Sequence, residues 1–329
     1  MPVRICFFYR TFNYKVNHQS PMIKHLLTAL ALTAGLASIT ACTSTPENTA
    51  ATTENTETYV ASIDQWHQER IERLKKEDGW LALAGLFWLE PGENTFGSAP
   101  DNDLVFPEGK IADHAGTFIL ANNQVKMKVN EGAEVLLDGQ TVLEALAFIA
   151  DTAEAPHLKH GSLTWFVIKR GDKYGVRLLD AESDVRTSFK GIDRYAVNPD
   201  YKVEATLEPN TTGRTISITN VLGQTSDEAT PGALVFTIDG KEHKLDALQE
   251  GDQLFILFAD KTNGHETYGA GRYLYTNLPD KNGKVTLDFN KAYNPPCAFV
   301  TYATCPLPPK QNFLQVAIPA GEKAFEGGH

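Results

Sequence analysis

Between residues 260 and 322 the chain concentrates acids, amides, tyrosines, glycines and prolines that could do chemistry together. One run reads Gly264-His265-Glu266-Thr267-Tyr268-Gly269-Ala270-Gly271-Arg272-Tyr273. A second reads Asp288-Phe289-Asn290-Lys291-Ala292-Tyr293-Asn294-Pro295-Pro296-Cys297-Ala298-Phe299, followed by Cys305-Pro306-Leu307-Pro308-Pro309. Glu266 or Asp288 could act as a general base if burial raised its pKa. Arg272 could orient an anionic ligand with its planar fork. Tyr268 or Asn294 could donate to developing negative charge, and Asn290 and Tyr293 could complete a binding surface. Gly269 and Gly271 would let backbone approach a ligand closely. A hydrolytic or isomerising reaction suits this set, and so does simple binding of a small or carbohydrate-like molecule.

The same residues also make sense with no ligand. Glu266–Arg272 and Asp288–Asn294 could form a hydrogen-bonded network that pins Pro-rich loops over a sheet edge, with Pro fixing backbone angles and Asn capping unpaired groups. Both readings stand at this point. Reaction classes with strong local signatures have no support. The chain contains no Gly-x-Ser-x-Gly elbow, no His-Glu-x-x-His and no phosphate loop. No cofactor and no metal is expected.

These two runs resemble the bacterial family DUF1684, proteins without an established activity. The Glu-Thr-Tyr-x-x-Gly-Arg and Asp-Phe-Asn-x-Ala-Tyr-Asn-Pro-Pro-Cys-Ala-Phe stretches carry the resemblance, which extends over residues 66–323. It implies a family and no reaction.

Stepping outward from these runs, the amino-terminal segment predicts where the protein works. Met22-Ile23-Lys24-His25 opens a basic region, residues 26–39 are apolar at signal-peptide length, and Ile39-Thr40-Ala41-Cys42 matches a bacterial lipobox. The expectation is a lipoprotein signal over 22–41 and lipidation of Cys42, which would attach the chain to a membrane. Thr43 and Ser44 follow the lipid-bearing Cys, with no Asp for inner-membrane retention. This places the protein in the cell envelope, at the outer membrane and facing the periplasm. Residues 1–21, with Cys6, read as a mis-assigned start ahead of Met22. Residues 42–60, rich in Thr, Ala, Asn and Glu, read as a flexible tether.

In an exported protein Cys297 and Cys305, with seven residues between them, are expected to form a disulfide contributing about 2–3 kcal/mol. Their spacing is looser than a usual Cys-x2–4-Cys metal pair. A nucleophilic Cys297 assisted by His265 is a bolder alternative. His157 and His160 are read as solvated loop residues rather than metal ligands.

Net charge is −11 over the 329 residues, and removing 1–41 leaves 26 basic against 41 acidic residues, a net of −15. Such a surface repels phosphate backbones, so nucleic acid is not an expected partner.

The elements that must position the site read as all-β: two β-rich, sandwich-like domains preceded by one amphipathic helix. Ser62 and Gln65 suggest a capping box, and Ile63, Trp66, Ile71 and Leu74 an apolar stripe, for a helix at about 62–77. The first domain spans 61–152 with that helix. A buried strand is expected over 80–89, and shorter ones near 94–97, 103–106, 116–121, 124–129, 133–137 and 140–149. A linker at 153–161 precedes the second domain, 160–325. Its strands are expected at 163–170, 173–180, 201–207, 214–221, 233–238, 241–245, 253–259, 271–276, 284–289 and 313–318. Asn122-Asn123, Asp138-Gly139, Gly171-Asp172 and Asp239-Gly240 mark hairpin turns. With no helical segments between strands, the sheets should be mostly antiparallel.

The first domain also resembles a degenerate forkhead-associated domain, a sandwich that can bind phosphothreonine. Gly92, Phe96-Gly97-Ser98, Asn102-Asp103-Leu104-Val105-Phe106 and His114-Ala115-Gly116 carry this resemblance. Ser98 stands where such domains carry Arg, and Ile111-Ala112-Asp113-His114 lacks their Ser and Arg. Those are the phosphate-binding groups. The resemblance therefore implies the architecture without phosphopeptide binding.

Overall fold

The computed structural model describes residues 49–149 and 155–327. The proposed start at Met22, the signal at 22–41, Cys6 and Cys42 lie outside them. The protein is mainly β, with an amino-terminal helix and several antiparallel sheets. Among the described residues no helix is long and apolar enough to cross a membrane.

Helix α1 runs Thr49–Leu74, so it begins well before the expected start at 62 and takes in part of the expected tether. Ser62 is not a cap. Its hydroxyl lies inside the helix and donates to the Tyr59 carbonyl at 2.6 Å. Once a turn is nucleated, each further residue adds a hydrogen bond, so a weak former such as 49–58 extends a helix it could not start. Tyr59, Ile63, Trp66, Arg70 and Leu74 recur at helical spacing on one face. Ile63 and Leu74 are buried.

Eleven strands build a sandwich. They are β1 (Leu83–Trp88), β2 (Gly92–Gly97), β3 (Leu104–Val105), β4 (Gly116–Ala121), β5 (Gln124–Val129) and β6 (Leu136–Leu137). They continue with β7 (Gln140–Thr141), β8 (Glu144–Ile149), β9 (Leu158–His160), β10 (Leu163–Arg170) and β11 (Lys173–Asp180). One sheet has the order β3-β2-β4-β5-β8, the other β1-β11-β10-β9-β6-β7. Strict alternation along β5 puts Val125, Met127 and Val129 inside. Phe96, Phe106, Phe118 and Trp165 join the two sheets, with neighbouring ring centroids 4.7–6.0 Å apart. Strands on both sides of the expected linker at 153–161 thus share one sheet. Strand β11 pairs with β1, so 163–180 completes the first sandwich. The strand expected over 80–89 is shorter, because residues Trp80–Ala82 form a single 3-10 turn.

Helix α2 (Asp184–Ser188), capped by Ser183, leads into the second half. Here β12 (Lys202–Pro209), β15 (Gly232–Ile238), β16 (Lys241–Glu250), β17 (Gln253–Phe258), β18 (Arg272–Asn277) and β19 (Lys284–Asp288) form one sheet, while β13 (Thr215–Thr219) and β14 (Thr225–Ala229) form a separate hairpin. The sheet order is β18-β17-β16-β15-β12-β19. The Thr276 hydroxyl on β18 donates to the Thr286 carbonyl on β19 at 2.6 Å, so the edge strands meet and the sheet is nearly a barrel. Leu234, Leu245, Leu254, Ile256, Leu274 and Leu287 fill it.

Residues 313–318 are not the expected strand. They meet residues 259–261 through an isolated parallel bridge between Phe313 and Ala259, with Leu314 N–H donating to the Ala259 carbonyl at 2.8 Å and Lys261 N–H to the Val316 carbonyl at 3.2 Å. Asn312, fully buried, imitates a strand instead. Its amide donates to the carbonyls of Asp246 (2.9 Å) and Leu257 (2.8 Å) and accepts from the Asp246 amide (2.8 Å).

Candidate functional site

Three polar clusters hold the carboxyl-terminal segment and α1 against this barrel. The first is built on Arg272, at the start of β18. Its side chain is 0% exposed, as is that of Asp260, with which it pairs at 2.7 Å. The same guanidinium donates to the carbonyls of Ile318 (2.9 Å) and Ala320. The other Asp260 oxygen accepts from Thr262 Oγ1 (2.7 Å), the Thr262 amide (2.9 Å) and the Ile318 amide (3.1 Å). Gly271 makes this approach possible. Its φ is +99°, and a Cβ there would lie 2.8 Å from the Phe258 carbonyl oxygen and strike Pro308.

The second cluster centres on Glu322, also 0% exposed. Its carboxylate pairs with Arg70 of α1 and accepts from the Asn294 amide at 2.7 Å. Arg70 further donates to the Asn294 carbonyl at 2.9 Å and lies over the Tyr293 ring at 4.4 Å. Asn294 Nδ2 donates to the Lys323 carbonyl at 2.7 Å. Gly321 allows the turn before Glu322, since a Cβ there would meet the Phe289 carbonyl at 2.8 Å.

The third cluster joins Asp288 and Asn290 to Tyr59 of α1. Asp288 accepts from the Tyr59 hydroxyl (2.8 Å) and the Asn290 amide (3.2 Å). Asn290 bonds both backbone groups of Asn198 at 2.9 Å. Burial, reinforced by Asp288, pushes the Tyr59 hydroxyl well above its usual range.

Glu266 stands apart. It is exposed and accepts from the Tyr195 hydroxyl at 3.1 Å. Burial and then Glu266 push Tyr195 up to about 12. Tyr268 donates to the Cys297 carbonyl at 3.2 Å, and burial raises its pKa. Cys297 and Cys305 are joined by a disulfide. That leaves no thiol for the Cys297–His265 arrangement.

The signature residues are thus brought near one carboxyl-terminal segment but not into one constellation. Glu266, Asp288 and Arg272 each bond to a different partner. The residues that complete the clusters, Tyr59, Arg70, Asp260 and Glu322, carried no motif. The available signal was the polar interruption of the α1 stripe by Tyr59 and Arg70. Among the described residues no group of three or more His, Cys, Asp or Glu is placed to hold a metal ion. His160 bonds the Glu134 carbonyl at 2.9 Å, and His157 stacks on Phe166 at 4.6 Å.

These features define an all-β protein with a near-barrel strapped by its own carboxyl-terminal segment and by a helix. The chain belongs, over residues 187–323, to the family described as "Protein of unknown function (DUF1684)". It is also similar to an uncharacterized protein of Haloarcula marismortui solved by solution NMR, at 35% identity over 42% of this chain and 78% of the other, with a TM-score of 0.36. No curated protein matches the chain.

Proposed function

We propose that this chain is a cell-envelope lipoprotein, anchored through Cys42 at the outer membrane and facing the periplasm, whose DUF1684 signature is a structural clamp for a binding module. The observation that carries the clamp reading is Arg272, which is fully enclosed and directed at Asp260 and two tail carbonyls. Both terminal nitrogens are engaged within the chain, and although Nε has no acceptor, the side chain is wholly enclosed and offers no open face to a ligand. Asn290, Tyr293 and Asn294, candidate ligand contacts from the sequence, are likewise buried and bonded or stacked within the chain. The small or carbohydrate-like ligand then belongs to another surface of the module. Acidic net charge argues against nucleic acid as a partner.

The first domain is in this reading a degenerate forkhead-associated sandwich, and the DUF1684 resemblance extends beyond 187–323 to residues 66–323. Ser98 Oγ lies 3.0 Å from both the Ile111 carbonyl and the Asp113 carboxylate, which share its one hydroxyl hydrogen. A carboxylate sits beside the group that would have to greet a phosphate, which speaks against phosphopeptide binding.

Arg272→Ala tests the clamp. Loss of folding is expected, and a chain that melts like the wild type would remove the reading. The runner-up is a hydrolase using Glu266, Asp288 and Arg272. It draws on one observation, the exposed Glu266–Tyr195 hydrogen bond. Glu266→Gln separates the two, because this exposed side chain can be changed without unfolding. A hydrolytic turnover abolished by Glu266→Gln in a folded chain would favour the enzyme.

A further inference from the structure

Three arginines are buried among the described residues, Arg70, Arg177 and Arg272. Arg70 and Arg272 each hold a buried carboxylate. Arg177 does not. It is 6% exposed, on β11, with Leu86 of β1 and Phe166 of β10 beside it across the sheet. The even-numbered neighbours Val176 and Leu178 fill the sandwich core, so Arg177 points out of the opposite face. Asp180 turns the other way and binds Lys110 at 2.7 Å.

A guanidinium cannot shed its proton in a protein, so this buried charge has to be met by its surroundings. They meet little of it. One long contact joins Nη2 to the Thr304 hydroxyl at 3.5 Å, and the Trp80 ring centre lies 6.0 Å from Cζ. Nε has no acceptor. Burial pulls its pKa down to about 10, and Arg170, a second cation, pulls it down further. Arg170 is on the same face as Arg177, at the end of β10, and half-buried.

The surroundings form a shelf of aromatic rings. Trp80, Trp88 and Phe166 are all half-buried. His157 stacks on Phe166 with the rings 14° from parallel. The Trp88 ring lies over Gly175, where a Cβ would come within 3.0 Å of it. An uncompensated, enclosed cation beside partly open aromatic surface is the arrangement that receives an anion with an apolar body.

We propose that this face of the sandwich binds a carboxylate or phosphate oxyanion carried on an aromatic or apolar group, with Arg177 as the anchor and Arg170 and the Thr304 hydroxyl beside it. None of the clamp residues takes part, so the site stands or falls independently of the proposed function.

The test is thermal unfolding and calorimetric titration of the full chain with benzoate, phenyl phosphate and, as a neutral control, benzyl alcohol. At least one anion should raise the unfolding midpoint with concentration and the alcohol should not. The stronger of the two anions identifies the oxyanion. Arg177→Met should weaken binding by about tenfold or more while leaving the ligand-free midpoint equal or higher, since an apolar chain replaces an unmet charge. Arg170→Gln should weaken binding severalfold in a chain that melts normally. The proposal is overturned if neither anion shifts the wild-type midpoint, or if both variants bind like the wild type. An Arg177→Met chain that unfolds also overturns it, because Arg177 would then be a structural cation.

Discussion

The Arg70–Glu322 pair joins residues 252 positions apart and gives the sharpest test of the clamp. Replacing Arg70 by Met leaves the wholly buried Glu322 carboxylate with the Asn294 amide as its remaining hydrogen bond of those described above. Removing one partner of a buried ion pair costs about 3–5 kcal/mol. Glu322→Gln is milder. Arg70 keeps the Asn294 carbonyl at 2.9 Å and the Tyr293 ring at 4.4 Å. The cost there should be about 1–3 kcal/mol. The double variant buries no lone charge, so its cost should fall short of the sum by at least about 1 kcal/mol. Urea unfolding of the four chains, compared at equal m, reads these differences. A total stability of about 5–15 kcal/mol makes the Arg70→Met loss a large share. Strict additivity, or an Arg70→Met cost under about 1 kcal/mol as for a surface pair, would refute the reasoning.

Other outcomes follow from single contacts. Reducing Cys297–Cys305 should lower stability by about 2–3 kcal/mol and add two hydrogens to the mass, and an unchanged melting curve on reduction would remove the staple. Gly271→Ala forces a side chain against the Phe258 carbonyl and Pro308 at φ +99°, so a loss of about 2–4 kcal/mol is expected in denaturant unfolding. Burial raises the Glu250 pKa above its ordinary value, partly opposed by the Tyr275 hydroxyl. A raised acid binds its proton more tightly in the folded state. Its contribution is therefore present below the unfolded pKa and lost as pH rises through the folded one. Glu250→Gln should thus be more stable than the wild type at neutral pH, with the gap closing in acid. A gap that widens in acid would contradict the sign.

How much could be read in advance depends on how local each determinant is. The hairpin turns were legible because two residues in the left-handed region suffice. Asn122 and Asn123 have φ of 51° and 59°, Asp239 and Gly240 51° and 70°. Alternation in β5 and the apolar run in β17 likewise declare a buried face from within one segment. The all-β class follows from many such signals in series. So does the disulfide, whose partners are close in sequence.

Partner choice was not legible. Strand β11 carries the same pattern whether it pairs with β1 or with a later strand, and only the fold pairs it with β1. Residues 313–318 have strand-like composition, yet the Asn312 side chain occupies the backbone groups with which a neighbouring strand would begin to pair. Arg272 looked free to hold a ligand until Asp260 and the tail carbonyls closed on it. In the sequence Arg70 is one charge among many in its segment, and only the fold brings Glu322 to it. Sequence by itself determined turns, faces and class, because those depend on backbone sterics and periodicity within a few residues. Tertiary structure alone decided which charges are neutralised and which, like Arg177, are left unmet, because that depends on groups brought together from across the chain.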